Sequence, residues 1–436
     1  MLDIKFIREN PEKIKEICRK KYIDLDIERL LELDKKRIEN LKALEKLRAL
    51  RNEITNKIAK EKTPVLIEEA TRIKTEIGKI EEVYGDKEEK EYQNLILLVP
   101  NVIFDDVPEG RDDSENIVLR KIGKLRNFDF QPKDHLDLGE NLDIIDIKRA
   151  AKISGARFGY LKGGAALLET ALIQFVFRAL TSRQIIKKIA GSIGKSCPEK
   201  TFVPVFPPVM IKPEAFTRMA RLSPADKDDR YYLQNDDLYL IGSAEHTLGS
   251  MHMDEVVPEE DLPLRYLGFS SSFRRESGSY GKDTRGILRV HQFDKIEMES
   301  FTVPEASLME QNFLVAIQEY IMQALDLPYQ VVAVCTGDMG KPDARQIDIE
   351  TWLPGQNRYR ETHSADLMTD YQSRRLQTKV KRNDGKTEYV HMNDATAIAV
   401  GRTIIAILEN YQQKDGSVKV PAVLQEYAGI KEIRKK

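Results

Sequence analysis

The stretch from Asp26 to Leu98 constrains the fold most. Apolar residues recur there at spacings of three and four: Ile38, Leu41, Leu44, Leu47, Leu50, Ile54 and Ile58, then Ala70, Ile73, Ile77, Ile80 and Tyr84. Nearly everything between them is polar or charged, so the apolar stripe on each helix is narrow. Such a helix cannot cover a sheet; it needs a second helix of its own kind. Thr63-Pro64 separates the two stripes, because proline lacks the donor that continues a helical ladder. The pattern predicts helices over about 26–62 and 65–98, folded back as an antiparallel two-helix coiled coil. At about 1.5 Å per residue, each spans roughly 50 Å. A shorter helix is expected over 1–22, with Asn10-Pro11 near its start.

The two long helices differ in charge. Residues 35–63 carry ten Lys/Arg against four Asp/Glu, and residues 64–98 carry five against nine. Pairing across the coiled coil explains this as well as a basic edge that tracks phosphates. Global charge does not decide, since the 436 residues sum to −2; any nucleic-acid surface must be local. The length allows two or three domains. Cys18, Cys197 and Cys335 stand far apart with no CxxC spacing, and no HExxH occurs. No zinc is therefore expected, and a reducing, cytoplasmic setting is. There is no run of eighteen apolar residues, and MLDIKFIREN does not read as a signal peptide, so no membrane is expected. Gly194-Lys195-Ser196 is not a phosphate loop, because Ile189 stands where glycine is required.

A second stretch, Arg265–Phe301, carries chemistry. It reads as two strands joined by a Gly-, Ser- and Lys-rich loop. Arg289, His291, Phe293, Lys295, Glu297 and Glu299 alternate onto one face, and Leu288, Val290, Ile296 and Met298 onto the other, with Gln292 and Asp294 interrupting the apolar face. Arg274 and Glu276 share a face of the outgoing strand. A hairpin with a solvated charged edge would show the same alternation. The loop SGSYGKDTRG, however, concentrates flexibility and positive charge between the polar rows, which suits an anionic ligand.

This stretch resembles the second signature motif of class II aminoacyl-tRNA synthetases, in the form found in seryl-tRNA synthetases. Phe273 to Glu297 follows FR-x-E-(A/S)-G-S-Y-G-(R/K)-D-T-R-G-L-x-R-x-H-Q-F-x-K-x-E nearly throughout. Further likenesses cover the chain. Leu98–Gly110 is similar to the connector between arm and catalytic domain. The apolar Ala165–Ala190, followed by TFVPVFPPVM, is similar to motif 1, which builds a dimer interface; an ordinary buried helix is the plainer reading. Thr181–Lys200 is longer than the usual connection. Cys335–Gly340 gives CTGDMG, and Asp348 to Trp352 gives D-x-E-x-W. Asn393–Asn410 is similar to motif 3, whose arginine is Arg402.

The chain also departs from the pattern. Ser243-Ala244-Glu245 stands where Thr-x-Glu is usual. Thr217–Pro224 replaces Gly-Gln-Leu-Pro. His363, Asp366 and Leu367 depart within 359–375, and Asn393-Asp394-Ala395 precede Thr396, which takes the place of a serine.

The resemblance implies an α+β fold: an N-terminal antiparallel coiled-coil arm over 1–105 that grips tRNA, then a class II catalytic domain over 106–436 built on an antiparallel sheet flanked by helices. It implies serine activation with ATP, then transfer to tRNA(Ser), and leaves open whether tRNA(Sec) is charged too. It implies a homodimer. Arg274 would bridge the serine carboxylate and the α-phosphate, and Arg402 would hold the γ-phosphate. Phe293 would stack on adenine, with Glu276 and the Val290 backbone at its edge. Arg275, Thr362 and His363 join the ATP set. Glu361 and Ser364 would place Mg2+ and phosphates. Ser243, Glu245, Glu297 and Thr396 would enclose serine. Glu297 is the residue expected to set substrate choice, and replacing it is expected to leave the fold nearly intact. Two rivals stand beside this: a ligase that loads another acceptor, and a non-catalytic paralogue. The long arm speaks against the first, and the retained arginines against the second.

Overall fold

The structure is a computed structural model that describes residues 1–85, 87–223, 226–277 and 285–435, the side chains of 82–85 excepted. It divides into two compact units, Met1–Val102 and Ile103–Lys436.

The first unit is helical. Residues 1–22 form two helices rather than one, α1 (Ile4–Glu9) and α2 (Pro11–Lys20). Asn10 leaves helical geometry, and Pro11 restarts the helix at its first position, where a missing N–H costs nothing. Helix α3 (Ile27–Lys60) begins at Asp26, whose side chain accepts from the Arg29 amide. The return runs as α4 (Pro64–Gly85) and α5 (Lys87–Leu98), with Asp86 outside the described residues. Leu44, Ile54, Ile73 and Ile77 are buried together in the α3–α4 seam. Leu41 and Leu50 are exposed, so the buried stripe is narrower than the sequence suggests; the Tyr84 side chain lies outside the described residues. Ion pairs join α3 to α5 at Arg29–Glu91, Lys36–Glu88 and Arg37–Glu89, and to α4 at Arg48–Glu81. Lys42, Lys46 and Arg51 are exposed and take part in none of these four. Pairing between the helices therefore accounts for part of the arm's charge asymmetry, and Lys42, Lys46 and Arg51 remain outside these four pairs.

The second unit is built on one eight-stranded sheet. Its strands are β1 (Ile117–Ile122), β2 (Val203–Val205), β3 (Leu264–Phe273), β4 (Gln292–Thr302), β5 (Tyr329–Ala333), β6 (Arg345–Leu353), β7 (Arg358–Thr369) and β8 (His391–Ala399). Their order is β1-β5-β6-β7-β8-β4-β3-β2. All neighbours are antiparallel except the edge pair β2–β3. Helices α6 (Gly164–Thr181), α7 (Arg183–Ile193), α8 (Ser307–Ala324) and α9 (Val400–Tyr411) contribute to one core with the sheet's apolar residues, among them Ile296, Met298, Ile347, Ile349, Ala365, Ala395 and Ala397. The alternate residues of the same strands point the other way and build the site.

The expected continuous helix over 165–190 is broken. Ser182 takes an extended backbone, ends α6 and caps α7 through the Ile185 amide. Within the unexplained connection, the carbonyls of Pro198 and Lys200 accept from Arg265 Nη1. Arg265 is itself clamped by Glu310 of α8 through two bonds of 2.7 Å. The extra length is thus sewn into the core by a buried arginine whose donors are well used.

Candidate active site

A cavity of about 290 Å3 opens on the polar face of the sheet. β4 supplies Phe293 and Lys295, β7 supplies Glu361, Thr362 and Ser364, β8 supplies Thr396, and the start of α9 supplies Arg402. Arg274, Glu276, Arg289 and Val290 enter from the segments that follow β3 and precede β4. Residues 278–284 of the loop between them lie outside the described residues.

Local irregularity brings the β7 groups together. Glu361 and Ser364 are three apart, so a regular strand would place them on opposite faces. The register against β6 shifts between Ile349 and Glu350: Ile349 faces His363, but Glu350 faces Glu361. Thr362 is the extra residue of a bulge, and the bulge turns Glu361, Thr362 and Ser364 to one cavity. Gln318 of α8 fixes the floor by donating to the carbonyls of Ser364 and Thr396, whose hydroxyls stand 3.4 Å apart.

At one end the cavity is cationic and aromatic. The Arg274 guanidinium lies 5.3 Å from the Phe293 ring centre, and its Nε donates to the Gly242 carbonyl at 3.0 Å. Glu276 accepts from Arg289 at 2.8 Å. Arg402 pairs with Glu361 at 3.2 Å. Burial opposes ionisation of Glu361, but Arg402 outweighs it and holds that carboxyl below its ordinary value. Asp348 on β6, in register with Ser364 of β7, is pushed well up by burial and by the Glu361 charge.

The other end is acidic. Glu245 follows the Gly242–Ala244 turn and contacts Arg221 at 3.0 Å. Burial would raise the Glu245 carboxyl; Arg221 and His246 instead hold it well below the usual range. The Gly242 amide donates to His246 Nδ1, so the ring proton sits on Nε2, which faces Glu245. Beneath the cavity, Ser243 donates to Glu297 at 2.6 Å, and Lys295 pairs with the same carboxylate. Burial pushes Lys295 down to about 8, against the pull of Glu245.

Of the residues singled out from sequence, Glu245, Arg274, Glu276, Val290, Phe293, Glu361, Thr362, Ser364, Thr396 and Arg402 line this cavity. Ser243 and Glu297 lie under it, fully buried. Glu297 is therefore part of the packing, and the expectation that it is dispensable to the fold is revised. Arg275 points away: it donates to the Arg230 carbonyl and lies over Tyr231. His363 faces the core side, buried, its ring bonded to the Thr362 hydroxyl and pushed down to about 3 by burial. The sequence reading omitted Arg221, Lys295 and His246 from the site. Lys295 had a visible signal, two residues from Glu297 on the same strand face. Arg221 had a weaker one, a cation in a loop that breaks the family pattern.

This arrangement, an antiparallel sheet with an arginine after β3 and another opening α9, defines the class II aminoacyl-tRNA synthetase core. Residues 230–411 match the tRNA synthetase class II core domain (G, H, P, S and T), and residues 1–103 match the seryl-tRNA synthetase N-terminal domain. The serine–tRNA ligase of Thermodesulfovibrio yellowstonii is 42% identical, over 100% of both chains. Among solved structures, the Pyrococcus horikoshii seryl-tRNA synthetase complexed with ATP is 37% identical with a TM-score of 0.88, covering 100% of both chains. The Naegleria fowleri cytoplasmic serine–tRNA ligase in complex with AMP is 29% identical with a TM-score of 0.84, covering 100% of this chain and 99% of that one. The chain belongs to the seryl-tRNA synthetase family.

Proposed function

We propose that this enzyme activates L-serine with ATP to seryl-adenylate and transfers the seryl group to the 3′ end of tRNA(Ser). The observation that carries this is the cavity's polarity: arginines and an aromatic ring at one end, ionised Glu245 at the other. ATP and serine have complementary charge in that order. The serine carboxylate attacks the α-phosphate, and diphosphate leaves. No covalent enzyme intermediate is needed, so rate comes from alignment and from charge held in place. Arg274, at the cationic end but bonded to the Gly242 carbonyl that leads to Glu245, bridges carboxylate and α-phosphate in this reading. Phe293 stacks on the adenine, and Glu276 with the Val290 backbone reads its edge. Glu245 and Thr396 take the serine ammonium and hydroxyl. Ser243 and Glu297 hold the floor beneath.

Mg2+ would enter with ATP. The Glu361 carboxylate and the Ser364 hydroxyl share the cavity and are hard oxygen donors, which fits an ion that keeps most of its ligands from phosphate and water. The ion would neutralise phosphate charge. Arg402, meanwhile, is released from Glu361 to the γ-phosphate.

The arm would carry the tRNA, with Lys42, Lys46 and Arg51 exposed for phosphates. Leu167, Val203 and Phe206 are exposed apolar residues on α6 and the motif 1 strand. They support a homodimer through that face. Free, buried Cys18, Cys197 and Cys335 suit work in the cytoplasm. ATP–pyrophosphate exchange with each amino acid, repeated as tRNA charging, tests the reading. Serine alone should drive both; exchange with another amino acid, or none, would overturn it.

A further inference from the structure

Three departures from the family pattern lie far apart in sequence and meet at one place. Ala220 stands in the Thr217–Pro224 stretch and holds φ at 58°, a left-handed conformation natural to glycine, so the turn persists without one. The turn delivers Arg221 to the acidic end of the cavity. There Nη2 donates to Asp394 at 3.2 Å, Nε contacts Glu245 at 3.0 Å, and Asp343 and Asp366 stand at 3.9 Å. Asp366 and Asp394 are themselves departures. They face each other in register across β7 and β8, which puts both on the cavity side. Asp366 lines the cavity, and its Oδ1 has no hydrogen-bond partner among the described residues.

At this end one guanidinium sits among four carboxyls, two of which, Asp366 and Asp394, burial raises toward the neutral form. Without Arg221, that end would attract a substrate side chain carrying a cation. With it, such a side chain meets a fixed like charge in a poorly solvated site, where repulsion is strong. A hydroxyl meets no such barrier. We propose that Arg221 is a specificity-determining residue of the amino-acid site: it occupies the acidic end and excludes amino acids with a cationic side chain, above all 2,3-diaminopropionate, which is serine with an ammonium in place of the hydroxyl. This rests on reading the cavity as the serine-activating site.

The test is ATP–pyrophosphate exchange with serine and with 2,3-diaminopropionate, on the full chain and on Arg221→Gln, Arg221→Lys and the double variant R221Q/D394N. The unmodified enzyme should favour serine by on the order of 100-fold or more in kcat/KM. Arg221→Gln should collapse that ratio at least about tenfold, and Arg221→Lys should restore most of it, an outcome that a loss of packing would not give. The double variant removes both partners, so it covers the case in which the single change fails to fold; its ratio should fall as well, by less. A folded Arg221→Gln or double variant with an unchanged ratio overturns the inference. So does an unmodified enzyme that uses both amino acids equally. An unmodified enzyme that exchanges with neither overturns the serine reading itself, and the inference with it.

Discussion

Glu297→Ala is the sharpest perturbation of the floor. Glu297 is 1% exposed, accepts from Ser243 at 2.6 Å and pairs with Lys295. Removing it strands a buried ammonium and a buried hydroxyl at once. Breaking one side of a buried ion pair costs about 3–5 kcal/mol, because the remaining charge is uncompensated. Loss of the hydrogen bond from Ser243 adds about 1 kcal/mol. A urea titration followed by the single Trp352 should show the catalytic unit's midpoint fall sharply. Below that midpoint, serine-dependent exchange should still drop by about 2–4 kcal/mol in kcat/KM. The double change E297L/K295M removes both charges and should return most of the stability while leaving activity low. An unchanged midpoint in Glu297→Ala would mean that the carboxylate is solvated, and would sink the argument from burial.

Other outcomes follow from the same geometry. Deleting residues 28–98 should spare serine-dependent pyrophosphate exchange and abolish tRNA charging, since every cavity residue lies in the second unit; equal loss of both would contradict it. Reversing Lys42, Lys46 and Arg51 should flatten the salt dependence of tRNA binding by somewhat under one unit of slope per lost phosphate contact, as read by filter binding from about 50 to 200 mM salt. Lys295 sits near 8 instead of 10.5. Serine kcat/KM should therefore decline above about pH 8, and K295R should carry that limb to higher pH; an unmoved limb would assign it elsewhere. Between about pH 8 and 10.5 the native state binds fewer protons at this site than the unfolded chain, so Lys295 makes stability rise with pH there even as activity falls. Phe206→Glu should yield a monomer in sedimentation if the exposed motif 1 face is the dimer surface; an unchanged sedimentation coefficient would place the interface elsewhere.

The arm was legible because a narrow stripe of period three to four has few uses. The sheet face was legible where alternation is regular, as at Phe293, Lys295 and Glu297. It failed at irregularities. His291 and Arg289 fit the alternation but precede β4, and the strand begins at Gln292. Glu361 with Ser364 breaks the period of two, and only the bulge at Thr362 explains their shared cavity. Asp366 opposite Asp394 depends on cross-strand register, which no local pattern encodes. Arg221 comes from a loop, where direction is set by a single positive φ. The chemistry of the strands was readable; what the loops bring to them was not.

That division has a physical cause. A sheet face carrying Glu297, Glu299, Asp366 and Asp394 side by side is unfavourable alone, since like charges repel and burial penalises each. The chain meets this in two ways. Burial tilts some groups toward the protonated form: with the Glu245 charge it pushes Asp394 up to about 7, and with Asp394 it pushes Glu299 well above its ordinary range. Cations are supplied as well, Lys295 to Glu297 within the strand and Arg221 to Asp394 from the loop. On the proposed reading, the serine α-ammonium is a third cation for this cluster. Its arrival favours the ionised forms, so binding serine should release protons from the Asp394 cluster, read as a buffer-dependent binding enthalpy in calorimetry near pH 7; an enthalpy that does not change with the buffer would refute it. On that reading, affinity for serine should follow how much negative charge the two built-in cations leave over. Loops that supply or withhold a cation tune the site without altering the sheet that carries the catalytic groups.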